Sequence, residues 1–155
     1  MSWYERQMEA FAQTRVGAWL AINVANPIDR RLLALTNGRL AIYLGAPVGL
    51  LETVGARSGQ RRQTPLLYLD DGHRIILVAS KGGNPHHPAW YHNLKANTRV
   101  EFLRRGGRRS YVAREAIGEE RENLWARVND LYRGYQTYQG RTQGRRIPVI
   151  VLDPA

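Results

Sequence analysis

The sequence predicts a mainly β domain with helices, in which about six strands close into a small barrel. Three observations carry that prediction. From residue 50 onward the apolar residues fall in short runs rich in β-branched side chains, the composition that suits a pleated surface. Asp71-Gly72 and Gly106-Gly107 join successive runs, and glycine in such pairs supplies the positive φ of a tight hairpin. Helix-like segments interrupt the strands too rarely to provide the crossovers of a doubly wound parallel sheet.

Taken in order, Tyr4, Met8, Phe11, Trp19 and Ile22 recur near helical spacing with polar residues between them, which predicts one amphipathic helix over 3–25. Asn26-Pro27 ends it. A second short helix over 28–35 stops at Asn37-Gly38. Strands follow over 50–54, 65–69, 74–79, 99–103, 110–114 and 147–152. Between them lie a short helix over 88–96 and a longer one over 118–136, whose Glu119, Glu120 and Glu122 suit the positive end of a helix dipole. The whole chain, 1–155, reads as one domain, with a helical N-terminal segment over 1–45 and the barrel over 46–155.

The formal net charge is +10, and Lys81 and Lys95 are the only lysines, so the excess is arginine. Arginine's planar fork grips phosphate and carboxylate at two points, which fits an anionic partner. An arginine-rich surface with no partner fits the same number. Without cysteine there is no disulfide, no Cys-ligated metal and no thiol nucleophile. The N-terminus MSWYERQMEAF lacks the basic-then-apolar pattern of a secretory leader. The longest apolar stretch, 16–25, is interrupted by Asn23 and falls short of the roughly 20 residues a spanning helix needs. A cytoplasmic protein is expected, at most resting on the inner face of a membrane.

No GxxxxGK[ST], GxGxxG, GxSxG or HExxH occurs, and the serine of Gly55-Ala56-Arg57-Ser58-Gly59 is misplaced for a nucleophile elbow. His86 and His87 are adjacent and so point in different directions, and with His73 and His92 they make a weak metal set; no metal is expected. Three other stretches ask for more than a structural reading. Residues 53–65 place Arg57, Arg61 and Arg62 with three hydroxyls in a glycine-punctuated turn, which reads equally as an anion cradle or a solvated loop. SKGGNPHHPAWY, beginning at Ser80, ends an apolar strand with one lysine, two glycines and two prolines, more than a plain turn needs. Tyr132, Tyr135 and Tyr138 recur along one helical ridge, either as core or as a half-wet surface where hydroxyls need partners.

LLETVGARSGQRRQTPLLYL, RIILVASKGGNPHHPAWYHNLKAN and LYRGYQTYQGRTQGRRIPVIVLDP together resemble the deazaflavin-dependent nitroreductase family, enzymes that use reduced coenzyme F-420. The resemblance implies a split β-barrel of the flavin-mononucleotide-binding type. It implies a cofactor, an 8-hydroxy-5-deazaflavin with an anionic phosphate and oligoglutamate tail, held by Ala56, Arg57, Ser58, Arg62, Gln63, Thr64, Pro65, Leu66 and Leu67 from the basic turn and the strand after it. On the other side it implies contacts from Val78, Ala79, Ser80, Lys81, Ala89, Trp90, Tyr91, His92, Asn93 and Tyr135. SKGGNPHHPAWY then forms one wall of the cofactor groove. Leu67, Ser80, Tyr132, Tyr135 and Tyr138 would line the acceptor site. No side-chain nucleophile or base is implied; Ser80 and Tyr132 would offer hydrogen bonds to the acceptor. Ala56 replaces an arginine, and Leu67 an aromatic hydroxyl, of the best-known pattern.

The implied activity is hydride transfer to a quinone or activated nitro compound, with the protein aligning the two partners and excluding water. Two other classes fit parts of the sequence. A split-barrel protein that binds flavin mononucleotide, or stores a cofactor, shares the fold. A nucleic-acid-binding module shares the charge but carries no recognised motif, so no nucleic acid is expected. The aromatic residues of the N-terminal helix beside Arg6 and Arg15 also suit peripheral contact with an anionic membrane.

Overall fold

Thr14 breaks the N-terminal helix that apolar spacing predicts. Its hydroxyl oxygen accepts the Gly17 N–H at 2.9 Å, a cap that starts a new helix, so α1 (Trp3–Ala12) and α2 (Arg15–Leu20) replace one run. The computed structural model describes residues 3–20, 26–39 and 47–155; Ile22 and the rest of 21–25, and the side chain of Trp19, lie outside the described residues. The next helix, α3 (Asn26–Leu35), ends as expected at Asn37 and Gly38, with φ of 54° and 82°. The Gly38 N–H bonds the Leu33 carbonyl at 2.8 Å and closes the last turn.

The strands form one antiparallel sheet of seven, in the order β2-β1-β5-β6-β7-β4-β3. They are β1 (Val48–Val54), β2 (Arg61–Leu67), β3 (Leu69–Asp71), β4 (Arg74–Val78), β5 (Arg99–Arg104), β6 (Gly107–Glu115) and β7 (Val149–Pro154). The expected count of six is corrected at Tyr68. Leu67 pairs with Val48 of β1 while Leu69 pairs with Ile76 of β4, so the chain changes partner across Tyr68, whose N–H bonds the Pro47 carbonyl at 3.0 Å. The apolar run through Leu66, Leu67, Tyr68 and Leu69 is continuous across this bend, which hides it from a pattern reading. The two ends of the sheet, β2 and β3, are consecutive in the chain.

The second correction concerns the helix expected over 118–136. It is two, α5 (Gly118–Leu131) and α6 (Gly134–Gln139), broken where Tyr132 takes an extended backbone at φ −148° and ψ 105°. The Tyr132 ring folds onto Gly134, where an added Cβ would lie 2.2 Å from it. The remaining helix, α4 (Ala89–Ala96), follows its expected position.

Two cores use opposite faces of the same strands. Ile75, Leu77, Ile150 and Leu152 point to one side with Phe102, Tyr111, Trp90 and Leu94. Ile76, Val78, Val149 and Val151 point to the other, under Leu124 and Val128 of α5, Tyr132 and the two tyrosines of α6. Burial on both faces explains why β4 and β7 read as unbroken apolar runs without alternation. Each fully buried large side chain stabilises the fold by about 1.5–3 kcal/mol.

Candidate active site

The turn joining β1 to β2 is drawn tight by its own backbone. Gly55 N–H bonds the Gln60 carbonyl at 2.8 Å, Gly59 N–H bonds the Gly55 carbonyl at 2.9 Å, and Ser58 Oγ accepts the Gln60 N–H at 3.2 Å. A helix holds the turn from behind. Asn93 of α4 is buried; its Oδ1 accepts the Ala56 N–H at 2.9 Å and its Nδ2 donates to Thr53 Oγ1 at 3.3 Å. One amide therefore fixes the angle between α4 and the turn.

Between them opens a cleft of about 1340 Å³. It is lined by the sequence-expected Ala56, Arg57, Ser58, Arg62, Gln63 and Thr64 on one wall, and by Ala89, Trp90, His92 and Asn93 on the other. Gly55 and Arg61 of the same basic turn line it too, and residues that sequence reasoning missed complete it: Arg30 from α3, Glu52 from β1, and Glu101 and Arg108 from β5 and β6. Strand register brings the acidic pair together, since Glu52 faces Gln63 on one side and Glu101 on the other. The signal available in the sequence was Glu52 itself, a lone carboxylate inside the apolar run LLETV, which has to be partnered if buried.

Glu52 is 8% exposed and holds Arg61 at 3.0 Å, Gln63 at 3.0 Å and Arg108 at 2.8 Å. Burial pushes its carboxyl upward, but the bonds from Gln63 and Arg108 and the two guanidinium charges outweigh that and leave it below its ordinary value. Arg108 also reaches Glu101 at 3.1 Å. Among the described residues the cleft thus carries five arginines, Arg30, Arg57, Arg61, Arg62 and Arg108, against two glutamates. Arg30, Arg57 and Arg62 have no carboxylate partner among the described residues and are exposed, free to meet an incoming anion.

The other expected site residues gather elsewhere. Leu67, Val78, Tyr132, Tyr135 and Tyr138 join one apolar cluster closed by Ala18 of α2. Tyr132 meets Tyr135 edge-on at 5.1 Å, the hydroxyls of Tyr132 and Tyr138 lie 3.0 Å apart, and the Tyr138 hydroxyl donates to the Ala12 carbonyl at 2.8 Å. The tyrosines are buried, not half-wet, because α1 and α2 cover them. Ser80 and Lys81 stand at the end of β4, Ser80 half-buried and Lys81 exposed, in a 3-10 turn on which α2 and α6 pack. Pro65 is buried, and Leu66 and Ala79 belong to the inner core. Tyr91 is half-buried and donates to Glu115 at 2.8 Å; burial and that bond push its hydroxyl up to about 12. Among the described residues no three His, Asp or Glu side chains form a metal-binding group, and no helix is long and apolar enough to cross a membrane.

An antiparallel sheet with an arginine-walled cleft on one side and a buried tyrosine cluster elsewhere defines a β domain whose cleft has the chemistry to meet an anion. The family model described as F420H(2)-dependent quinone reductase matches residues 28–154. The chain belongs to that family. It is 45% identical over 146 residues to an F420H(2)-dependent quinone reductase of Mycobacterium tuberculosis (strain ATCC 25618 / H37Rv), covering 88% of this chain and 97% of the relative. Among solved structures, an F420-H2 dependent reductase, FDR-A, superposes with a TM-score of 0.61 at 41% identity, covering 69% of this chain and 94% of that one. A domain-swapped dimer superposes with a TM-score of 0.63 at 35% identity, covering 81% and 96%.

Proposed function

We propose that this chain is a reductase that binds reduced coenzyme F-420 and reduces a quinone. The observation that carries this reading is the cleft, where Arg30, Arg57 and Arg62 have no carboxylate partner among the described residues. Their chemistry fits a phosphate and a run of carboxylates. When bound, the deazaflavin supplies a hydride. The protein's share is placement. Arg57 and Arg62 would hold the anionic tail, with Asn93 fixing the turn that presents them. Ser80 and Lys81 would meet the coenzyme at the end of β4, and Leu67, Tyr132, Tyr135 and Tyr138 would border the acceptor and keep water away.

The sheet order supports a split barrel, since its end strands are consecutive and β2 approaches β4. We read 1–155 as one domain, with 46–155 forming most of the cofactor-binding region and Arg30 adding to it from α3. Activated nitro compounds are a second acceptor class with the same electron demand. Trp3, Tyr4, Met8 and Phe11 are exposed on α1, which supports peripheral contact with the cytoplasmic face of a membrane, where lipid quinones reside. Liposome sedimentation of the full chain and of a variant lacking 1–25 tests that contact; equal sedimentation rejects it.

The test of the function is turnover. Purified protein should oxidise reduced coenzyme F-420 when menadione is added, and bind flavin mononucleotide more weakly than F-420. Bound F-420 without turnover on any quinone or nitroaromatic would reject the activity.

A further inference from the structure

Arg145 lies in the loop between α6 and β7, outside every residue so far assigned to the site, and its guanidinium is aimed at the turn after β4. Nε donates to the Asn84 carbonyl at 3.0 Å, and Nη2 donates to the carbonyls of Asn84 and Ser80, both at 2.8 Å. Nη1 donates to the Ala79 carbonyl at 3.0 Å and meets His87 Nδ1 at 3.1 Å. A guanidinium has five N–H groups, and here five acceptor contacts occupy them. Since arginine only donates, His87 Nδ1 must accept, which fixes the neutral imidazole with its proton on Nε2.

The loop is built to present that side chain. The Arg145 carbonyl accepts from Thr142 Oγ1 at 2.6 Å and from Gln139 Nε2 at 2.8 Å, while Gln139 Oε1 accepts the Ile147 N–H at 2.9 Å. No carboxylate pairs with Arg145 among the described residues, so its charge stays uncompensated behind the turn. What it holds is a strained backbone. Lys81, Gly82 and Gly83 take φ of 47°, 61° and 82°, three left-handed residues in succession, and the first carries a side chain. With Ser80 in the right-handed region, the Ser80-Lys81 pair has the alternation that turns successive N–H groups toward one point, the concavity that receives an anionic oxygen.

We infer that Arg145 is a positioning residue for cofactor binding: by gathering the carbonyls of Ala79, Ser80 and Asn84 onto one guanidinium it turns the N–H groups of Ser80 and Lys81, and the Lys81 ammonium, toward the coenzyme. This rests on the reading that the turn meets coenzyme F-420. Lysine cannot replace the residue, because one ammonium has three N–H groups for four acceptor atoms that a guanidinium meets with five.

The experiment compares the full-length parent with Arg145→Lys and Arg145→Ala, each checked for fold by circular dichroism and melting. Fluorescence titration with F-420 should show Kd rising by about tenfold or more in Arg145→Lys. KM for reduced F-420 should rise in parallel while KM for menadione holds within about twofold, a split that general loosening would not produce. Added guanidinium ion should restore part of the coenzyme affinity of Arg145→Ala. If Arg145→Ala does not fold, Arg145→Lys, which keeps the charge, decides. A folded Arg145→Lys with parental Kd overturns this inference alone, whereas a parent that binds no F-420 overturns the functional reading and this inference with it.

Discussion

Glu52 offers a perturbation in which stability and affinity move in opposite directions. Glu52→Gln keeps the shape of a buried side chain that touches Arg61, Gln63 and Arg108, but removes its charge. A hydrogen bond to a charged group contributes about 1.5–3 kcal/mol. Arg61 is 77% exposed, so water screens its pair to almost nothing, and Arg108 at 37% retains only part of its share. The net cost is about 1–3 kcal/mol, a fall in Tm of about 2–12 °C for a domain of this size. Affinity for an anionic tail should rise instead. A unit charge about 8 Å away, through an effective dielectric constant of about 20–80, is worth about 0.5–2 kcal/mol, or about 2- to 30-fold in Kd. Thermal melting and F-420 titration on the same preparation read both. A folded Glu52→Gln that binds F-420 no better than the parent would refute the placement of the tail in this cleft.

Gly83→Ala should distort the turn after β4, because the new Cβ would lie 2.7 Å from the Tyr138 carbonyl oxygen at a φ of +82°; coenzyme binding should fall at least about tenfold by titration. Tyr138→Phe removes the hydroxyl that joins Ala12 to Tyr132, at a cost of about 1–2 kcal/mol, and should speed proteolytic cleavage between α1 and α2. Glu52, Asp71 and Glu120 all have carboxyl pKa values lowered in the folded state, so their contribution is present above about pH 4.5 and is lost as pH falls through the folded values. Melting between about pH 7 and 3 should show that loss, and Glu52→Gln should flatten it. Burial, Arg145 and His92 lower His87 while Glu115 raises it, and Tyr91 stacks on its ring at 4.4 Å. Protonation would turn Nδ1 into a donor facing Arg145, so F-420 affinity should hold through the ordinary imidazole range, weaken only as pH falls below it, and weaken less in His87→Phe.

The pieces of this protein legible in the sequence are those whose signals are local. Asp71-Gly72 and Asn37-Gly38 mark real chain reversals because the φ they need belongs to glycine and asparagine. The basic turn of residues 53–65 is visible because its three arginines fall within six residues, 57–62. The rest depends on pairing at a distance. Glu101 and Arg108 reach the cleft only through the register of β1, β5 and β6, and Arg30 arrives from α3. Asn93, which the resemblance implies as a cofactor contact, lines the cleft, and the sequence does not show that its amide also accepts the Ala56 N–H and donates to the Thr53 hydroxyl. Tyr132 ends a helix because its ring folds on Gly134, a tertiary event that helical periodicity does not carry. Nothing local in the sequence marks Arg145, because the carbonyls it gathers belong to a turn distant in the chain.

The claim beneath all of this is that unpaired arginines at the 55–62 turn hold the acidic tail of the coenzyme. Calorimetric titration with intact F-420, and with the same deazaflavin lacking its phosphate and glutamates, measures that directly. Intact coenzyme should bind at least about tenfold more tightly, with the advantage shrinking in salt and largely lost in an Arg57→Ala, Arg62→Ala double variant. Equal affinity for the two ligands, or an advantage that survives removal of both guanidinium groups, would contradict the account.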